Sequence, residues 1–275
     1  MSRPDPLALA FSPCPNDTFI FHAWTHGLIA GAPEVRVTYA DVDVTNTAAE
    51  RGEFDVVKVS YAALPWLLEK YRLLPCGGAL GRGCGPLVLT RPDAVRTDLT
   101  GARVAVPGER TTAYLLMRLW ATAQPPASVQ VVPFADIMPG VRDSRFDAGL
   151  VIHEARFTYP GYGLSALVDL GEWWEQSTGH PIPLGAILAR RELDADRLTE
   201  VLRASVEYAL ANPSASAGFV AEHAAELDPR VQRQHIELYV NDFSRDLGEP
   251  GYAAIEELLG RAHAASLVPA VGPLR

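Results

Sequence analysis

The feature that most constrains this 275-residue chain is an alternation of strand-like and helix-like segments that runs once, stops, and begins again. In the first run, "LALAFS" reads as a buried strand and "NDTFIFHAWTHGLI" as a helix capped by Asn16 or Asp17. "VRVTYADV" is then a strand, "TNTAAERG" a short helix ending at Gly52, and "DVVKVS" a strand. "LPWLLEKYR" follows as a helix with Pro65 in its first turn, and "PLVLTR" closes the section as a strand. The second run repeats the order: "ARVAVPG" as a strand, "TTAYLLMRLWATA" as a helix capped by a threonine, "VQVVPF" as a strand, "DIMPGVRDSR" as a short helix, "AGLVIH" as a strand. Phe54-Asp55 and Phe146-Asp147 stand at matching places in the two runs. Strands interleaved with helices predict an α/β fold with largely parallel sheets, and the repeated order predicts two similar lobes.

After "PIPLGAILARREL", read as a strand, the chain turns helical: "DADRLTEVLRASVEYALAN", "AGFVAEHAAEL", "PRVQRQHIELYV" and "YAAIEELLGRAHAA", punctuated by Asn212-Pro213, Asp228-Pro229 and Glu249-Pro250-Gly251. This tail has no strands with which to build a third domain, so it is expected to pack on the first lobe. The chain is then expected to cross near residues 90 and 188, giving residues 1–90 plus 188–275 as one lobe and 91–187 as the other. Two crossings form a hinge, and a hinge between open lobes leaves a cleft.

Composition narrows what such a cleft serves. A net charge of -9 without any basic run argues against nucleic acid as a partner. The apolar stretch Leu7 to Phe11 is too short for a signal-peptide core or a membrane span, so neither export nor a membrane partner is expected. Three cysteines with no CxxC pair suggest neither a disulfide framework nor a zinc site, and point to a cytoplasmic protein. A small molecule is the expected partner.

Ligands of open parallel sheets bind beyond the carboxyl ends of the strands. There "SPCPNDT" brings Asn16, and "PGERTTA" brings Thr111 and Thr112, to helix N-termini whose free N–H groups favour anions. Strand ends contribute Lys58, Ser60 and Tyr61 from one lobe and His153 from the other. An imidazole, with a reference pKa of about 6.5, can take a proton at physiological pH, which makes His153 a candidate general base. A strand-end histidine satisfied by a backbone carbonyl is the competing structural reading. Glu154, on the opposite face of an extended strand, is expected to point away from its neighbour's ligand, as a helix-cap or surface carboxylate.

Other motifs carry less. "GGALGRGCGP" lacks the GK[ST] ending of a phosphate loop and reads as a hinge or ligand-lining turn. His22 and His26 have metal-clamp spacing but no HExxH pattern or acidic third ligand, so they read as a helix face. Cys14 reads as a packing residue rather than a reactive thiol, "EWWEQSTGHPIP" as packing near the second crossing, and Arg82 and Arg156 as surface arginines.

Several long segments, "SPCPNDTFIFHA", "KVSYAALP", "GGALGRGCGPLV", "VAVPGERTTAYLL", "GLVIHEARFTYPGYGL", "VDLGEWWEQSTGHPIPLGAILARREL" and "YVNDFS", resemble the 1,4-dihydroxy-6-naphthoate synthase family of menaquinone biosynthesis. The resemblance runs from about Leu9 to Ser244. It implies a two-lobed fold like type II periplasmic binding proteins, in a cytoplasmic lyase that converts cyclic dehypoxanthine futalosine to 1,4-dihydroxy-6-naphthoate. It implies His153 as proton acceptor, Lys58, Val59 and Ser60 as one substrate-binding segment, and Thr112 with Ala113 as another. No metal and no organic cofactor is implied. A chorismate dehydratase-like sister enzyme and a non-catalytic binding module share the architecture and remain as alternatives.

Overall fold

The computed structural model describes residues 5–225 and 228–275. Strands β1 (Leu7–Phe11), β2 (Val35–Tyr39), β3 (Val56–Ser60) and β4 (Tyr71–Gly81) enclose helices α1 (Pro15–Thr25), α2 (Val42–Arg51) and α3 (Leu64–Leu67). There follow β5 (Leu87–Thr90), β6 (Arg103–Val106), α4 (Thr112–Trp120), β7 (Ser128–Val131), α5 (Phe134–Arg142), β8 (Ala148–Val151), α6 (Ala155–Thr158), β9 (Ser165–Asp169), α7 (Leu170–Thr178) and β10 (Ile182–Arg190). The rest is helical: α8 (Ala195–Ala211), α9 (Ala217–His223), α10 (Pro229–Tyr239), α11 (Asp242–Arg245) and α12 (Gly248–Ala264). The expected helix over "AGFVAEHAAEL" reaches Leu227, and the N-terminal reading includes residues 1–4; these positions lie outside the described residues.

Two five-stranded sheets form, ordered β2-β1-β3-β10-β4 and β7-β6-β8-β5-β9. They share one plan. β1 runs parallel to β2 and β3, as β6 does to β7 and β8. β10 lies antiparallel between β3 and β4, as β5 does between β8 and β9. Each sheet is therefore largely parallel with one reversed strand. That strand is the first one laid down after the chain arrives from the other sheet.

The Phe-Asp echo has the same function in both halves. Asp55 Oδ2 accepts from Ala8 N (2.8 Å) and Asp147 Oδ2 from Arg103 N (2.9 Å). The backbone N–H groups of Asp55 and Asp147 return bonds to the Ala8 and Arg103 carbonyls. Each aspartate pins the entry of its sheet's central strand to the neighbouring strand, and so sets the register.

Strand pairing shifts the passages between sheets. β5 belongs to the second sheet and β10 wholly to the first, so the chain passes at residues 82–86 and 179–181 rather than near 90 and 188. "PLVLTR" is legible as a strand, but nothing in its pattern reveals its partners. The helix expected over "LPWLLEKYR" stops at Leu67, because Tyr71, Leu73 and Leu74 instead pair with β10. β9 was not anticipated, and "EWWEQSTGHPIP" proves to hold α7, capped by Asp169, which accepts from Gly171 N and Glu172 N.

α1 is buried at ten of its eleven residues, Pro15 to Trp24. It is held rather than merely covered: Ser205 of α8 donates to Ile20 O (2.6 Å) and accepts from Trp24 N (3.1 Å), while Phe21 stacks on Phe11 at 4.4 Å. A helix enclosed in this way presents its first turn at a fixed place.

Glycine is required where the first passage meets α7. A Cβ at Gly85 would stand 2.1 Å from Gly171 N and 2.2 Å from its Cα, backbone that cannot step aside. Gly85→Ala should therefore lower the unfolding free energy by about 1–3 kcal/mol or more, the usual cost of overpacking. Denaturant melts check this; an unchanged midpoint would show that the passage is slack.

Candidate functional site

The carboxyl ends of β1, β3, β6 and β8 converge on a cavity between the two sheets. Asn16, Lys58, Ser60, Thr111, Thr112, Ala113 and His153 all line it. Val59 does not: it is wholly buried in the hydrophobic core. Strand alternation explains this, since Lys58 and Ser60 share one face of β3 and Val59 takes the other. Arg82 and Arg156 also stay outside the cavity lining. Arg82 is exposed and donates to Gly179 O (2.8 Å). Arg156, expected at the surface, is partly buried, where it donates to Gly85 O (2.8 Å) and Asp169 Oδ2 (2.5 Å) and ties the passage to α7.

The floor of the cavity is a charged network. Lys58 Nζ donates to Asp17 Oδ1, and both side chains are almost fully buried. Ser12 Oγ donates to Asp17 Oδ2 (2.7 Å), and Asn16 Nδ2 donates to Asp17 Oδ1 (2.7 Å). Contrary to the sequence reading, neither Asn16 nor Asp17 caps α1. Cys14 occupies the N-cap position without a side-chain cap bond, and Pro15 begins the helix, which leaves both side chains to the network.

That network fixes the state of a residue the sequence did not single out, His235 of α10. Its Nε2 is 2.9 Å from Asn16 Oδ1. Because the Asn16 amide nitrogen faces a carboxylate, Oδ1 must accept, and His235 carries its proton on Nε2. Its Nδ1 is then a bare acceptor, and no protein donor meets it among the described residues. His235 lines the cavity, its ring 6.2 Å from that of His153.

The opposite wall is stitched to the first lobe. Asn46 Nδ2 donates to Ser60 Oγ (3.1 Å) and Arg110 O (3.4 Å), and Ser60 N donates to Asn46 Oδ1 (2.8 Å). Thr112 Oγ1 donates to Leu184 O (2.8 Å) and accepts from Ala62 N (3.2 Å). Thr111 caps α4 as expected, accepting from Tyr114 N (3.1 Å). The cap leaves the N–H groups of Thr112 and Ala113 as first-turn donors for an anion.

His153 stands just after β8 with φ of 57°, one of three non-glycine residues with positive φ among those described. Its ring meets Phe134 edge to face at 5.8 Å, and it lines both the main cavity and a second hollow shared with Asp43 and Phe134. The left-handed turn breaks strand alternation, so Glu154 does not point away to the surface. It is buried, and a carboxylate oxygen, the Cys14 thiol and a His153 ring nitrogen lie within 4.8 Å of one another. Burial, with Glu154 and Asp17 adding, pushes the Cys14 thiol well above its ordinary pKa, and burial pushes Cys84 up to about 12. Both are thiols rather than nucleophilic thiolates. His22 and His26 pack ring to ring at 4.4 Å beside Phe219, in keeping with a helix face.

Ser12, Asn46 and His235 escaped the sequence reading, and Asp17 entered it only as a candidate helix cap. For Asp17 a signal existed: a lysine inside the apolar strand "DVVKVS" must find an acid or leave the core. His235 gave none, since its helix reads as an ordinary amphipathic segment.

Burial, with His153 and Lys58 adding, lowers His235 well below its ordinary 6.5. The unfolded chain therefore binds a proton that the folded chain refuses. This group's contribution to stability is whole above about pH 6.5 and drains away as pH falls toward the folded value. Between about pH 7 and 5 the thermal midpoint should fall more steeply for the parent chain than for His235→Gln; parallel curves would show that the ring is not desolvated.

Comparison with known proteins agrees over nearly the whole chain. A family model described as "Menaquinone biosynthesis" matches residues 7–264. The chain is 62% identical to the 1,4-dihydroxy-6-naphthoate synthase of Streptomyces coelicolor, covering 98% of this chain and 97% of that one. It is 47% identical to the enzyme of the same name from Thermus thermophilus, covering 98% of each. Among solved structures, protein AF1704 from Archaeoglobus fulgidus superposes with a TM-score of 0.89 at 33% identity, over 96% of this chain and 98% of that one. The periplasmic aliphatic sulphonate binding protein SsuA from Escherichia coli superposes at 0.68 with 14% identity, over 97% and 89%, which supports the binding-protein-like fold alone. No helix among the described residues is long and apolar enough to cross a membrane. The chain belongs to the menaquinone-biosynthesis family in which the 1,4-dihydroxy-6-naphthoate synthases fall.

Proposed function

We propose that this protein is a cytoplasmic carbon–carbon lyase that converts cyclic dehypoxanthine futalosine to 1,4-dihydroxy-6-naphthoate, with His153 as general base. The observation that carries this reading is the left-handed turn that presents His153 to a cavity also lined by Ser60, Lys58 and Asn16. His153 takes a proton from the bound substrate, the bond to the sugar-derived fragment breaks, and the bicyclic ring becomes aromatic. Aromatisation supplies the driving force, so the protein's task is to position a base and keep the cleft dry. Its own residues do the holding. Thr112 and Ala113, at the start of α4, offer N–H donors to the carboxylate that gives the naphthoate its name. Ser60, oriented by Asn46, and Asn16, oriented by Asp17, offer polar groups to the rest.

No cofactor enters this scheme. The purified chain, given only the cyclic futalosine derivative, should release dihydroxynaphthoate detectable by mass spectrometry. His153→Ala should keep its fold and lose turnover by about 10²–10⁴-fold, the range of general-base deletions. Near-normal turnover in that variant would remove His153 from the chemistry. Turnover of chorismate instead would assign the chain to the sister activity, and a thermal shift without product would make it a binding module.

A further inference from the structure

The Cys14 thiol, the His153 imidazole and the Glu154 carboxylate form a cluster that the proposed turnover leaves partly unused. Their donor atoms lie within 4.8 Å of one another, and Cys14 and Glu154 are each only 8% exposed. They also come from different lobes. Cys14 opens α1 beside the first sheet, while His153 and Glu154 follow β8 of the second. The left-handed backbone at His153 is what makes consecutive residues converge on one point instead of diverging as they would along a strand.

The donor set is selective. One sulfur, one imidazole nitrogen and one carboxylate oxygen suit a borderline-soft, four-coordinate cation. Calcium and magnesium ask for six or more oxygens, which this cluster does not offer. Zinc bonds of about 2.0–2.3 Å put tetrahedral donors roughly 3.3–3.8 Å apart, so side-chain rotation of about an ångström suffices to close the cluster. Of the three, His153 also borders the cavity.

We propose that Cys14, His153 and Glu154 constitute an inhibitory zinc site, in which one Zn²⁺ bridges the two lobes and occupies the nitrogen that would accept the proton. Bound zinc excludes substrate from His153 and holds the lobes together. The inhibitory half rests on the general-base reading given above; the binding half does not.

Equilibrium dialysis of the purified chain against zinc chloride, followed by elemental analysis, tests the binding half directly. One zinc per chain is expected. Cys14→Ser and Glu154→Gln, each checked for folding by circular dichroism, should weaken retention by at least about tenfold to a hundredfold. The double variant His22→Ala/His26→Ala, which removes the other close histidine pair, should bind zinc as the parent chain does. Failure of the parent chain to hold one zinc, or unchanged retention in a folded Cys14→Ser or Glu154→Gln variant, would overturn the site. For the inhibitory half, zinc should suppress dihydroxynaphthoate release competitively with substrate and reversibly with EDTA, and Cys14→Ser should raise the zinc concentration needed. Zinc bound through Cys14 without effect on turnover would overturn the inhibitory role. If the parent chain makes no product at all, that result counts against the proposed reaction, while the dialysis still decides the site.

Discussion

The buried pair of Lys58 and Asp17 is the interaction on which the cleft depends. A lysine at the middle of a central strand is largely withdrawn from solvent, and an isolated buried charge costs several kcal/mol. Asp17 answers it from the first turn of α1, and Ser12 and Asn16 donate to the same carboxylate. Asn16, turned by that bond, dictates which nitrogen of His235 holds a proton. One ion pair thereby fixes the end of β1, the start of α1, the face of β3 and a helix of the C-terminal tail. The tail is more than a cover for the first lobe: it supplies a wall of the site.

The matching plan of the two sheets accounts for where that site lies. Each sheet's reversed strand is the first laid down after a passage, and the two passages run side by side, with Gly81 paired to Ile182 and Arg82 bonded to Gly179 O. Gly85 and Gly171 bring one passage into backbone contact with α7, and Arg156 fastens them through Asp169. Across the gap, Arg110 pairs with Glu50 at 2.9 Å and lies 3.7 Å from the Trp66 ring centroid. With the Thr112 and Asn46 bonds, these contacts hold the lobes against each other in the arrangement described here.

Much of this was legible in the sequence because it depends on local rules. Strand–helix alternation revealed two similar lobes, the Phe-Asp echo marked equivalent strand entries, and the Thr111 cap and the convergence of His153 with Ser60 and Thr112 followed from where strands end. What escaped depends on pairing in space. The partners of β5 cannot be read from a short apolar run, so the passages were misplaced by several residues. Val59 entered through resemblance to a family segment, although the period of two along β3 turns its side chain into the core. Glu154 was assigned to the opposite face because an extended strand was assumed, and a non-glycine residue in the left-handed region leaves no mark in the residue pattern. His235 needed a partner some two hundred positions away to become interpretable.

The backbone at His153 carries a final implication. Left-handed geometry costs an L-residue other than glycine about 1–2 kcal/mol, and glycine would relieve it. The chain therefore retains, at the one imidazole proposed to move a proton, a conformation that is energetically second best. Glycine there would relieve the backbone while removing the imidazole. Backbone ease and the proposed proton transfer pull in opposite directions at this position, and the folded core around it is what makes the less relaxed choice sustainable.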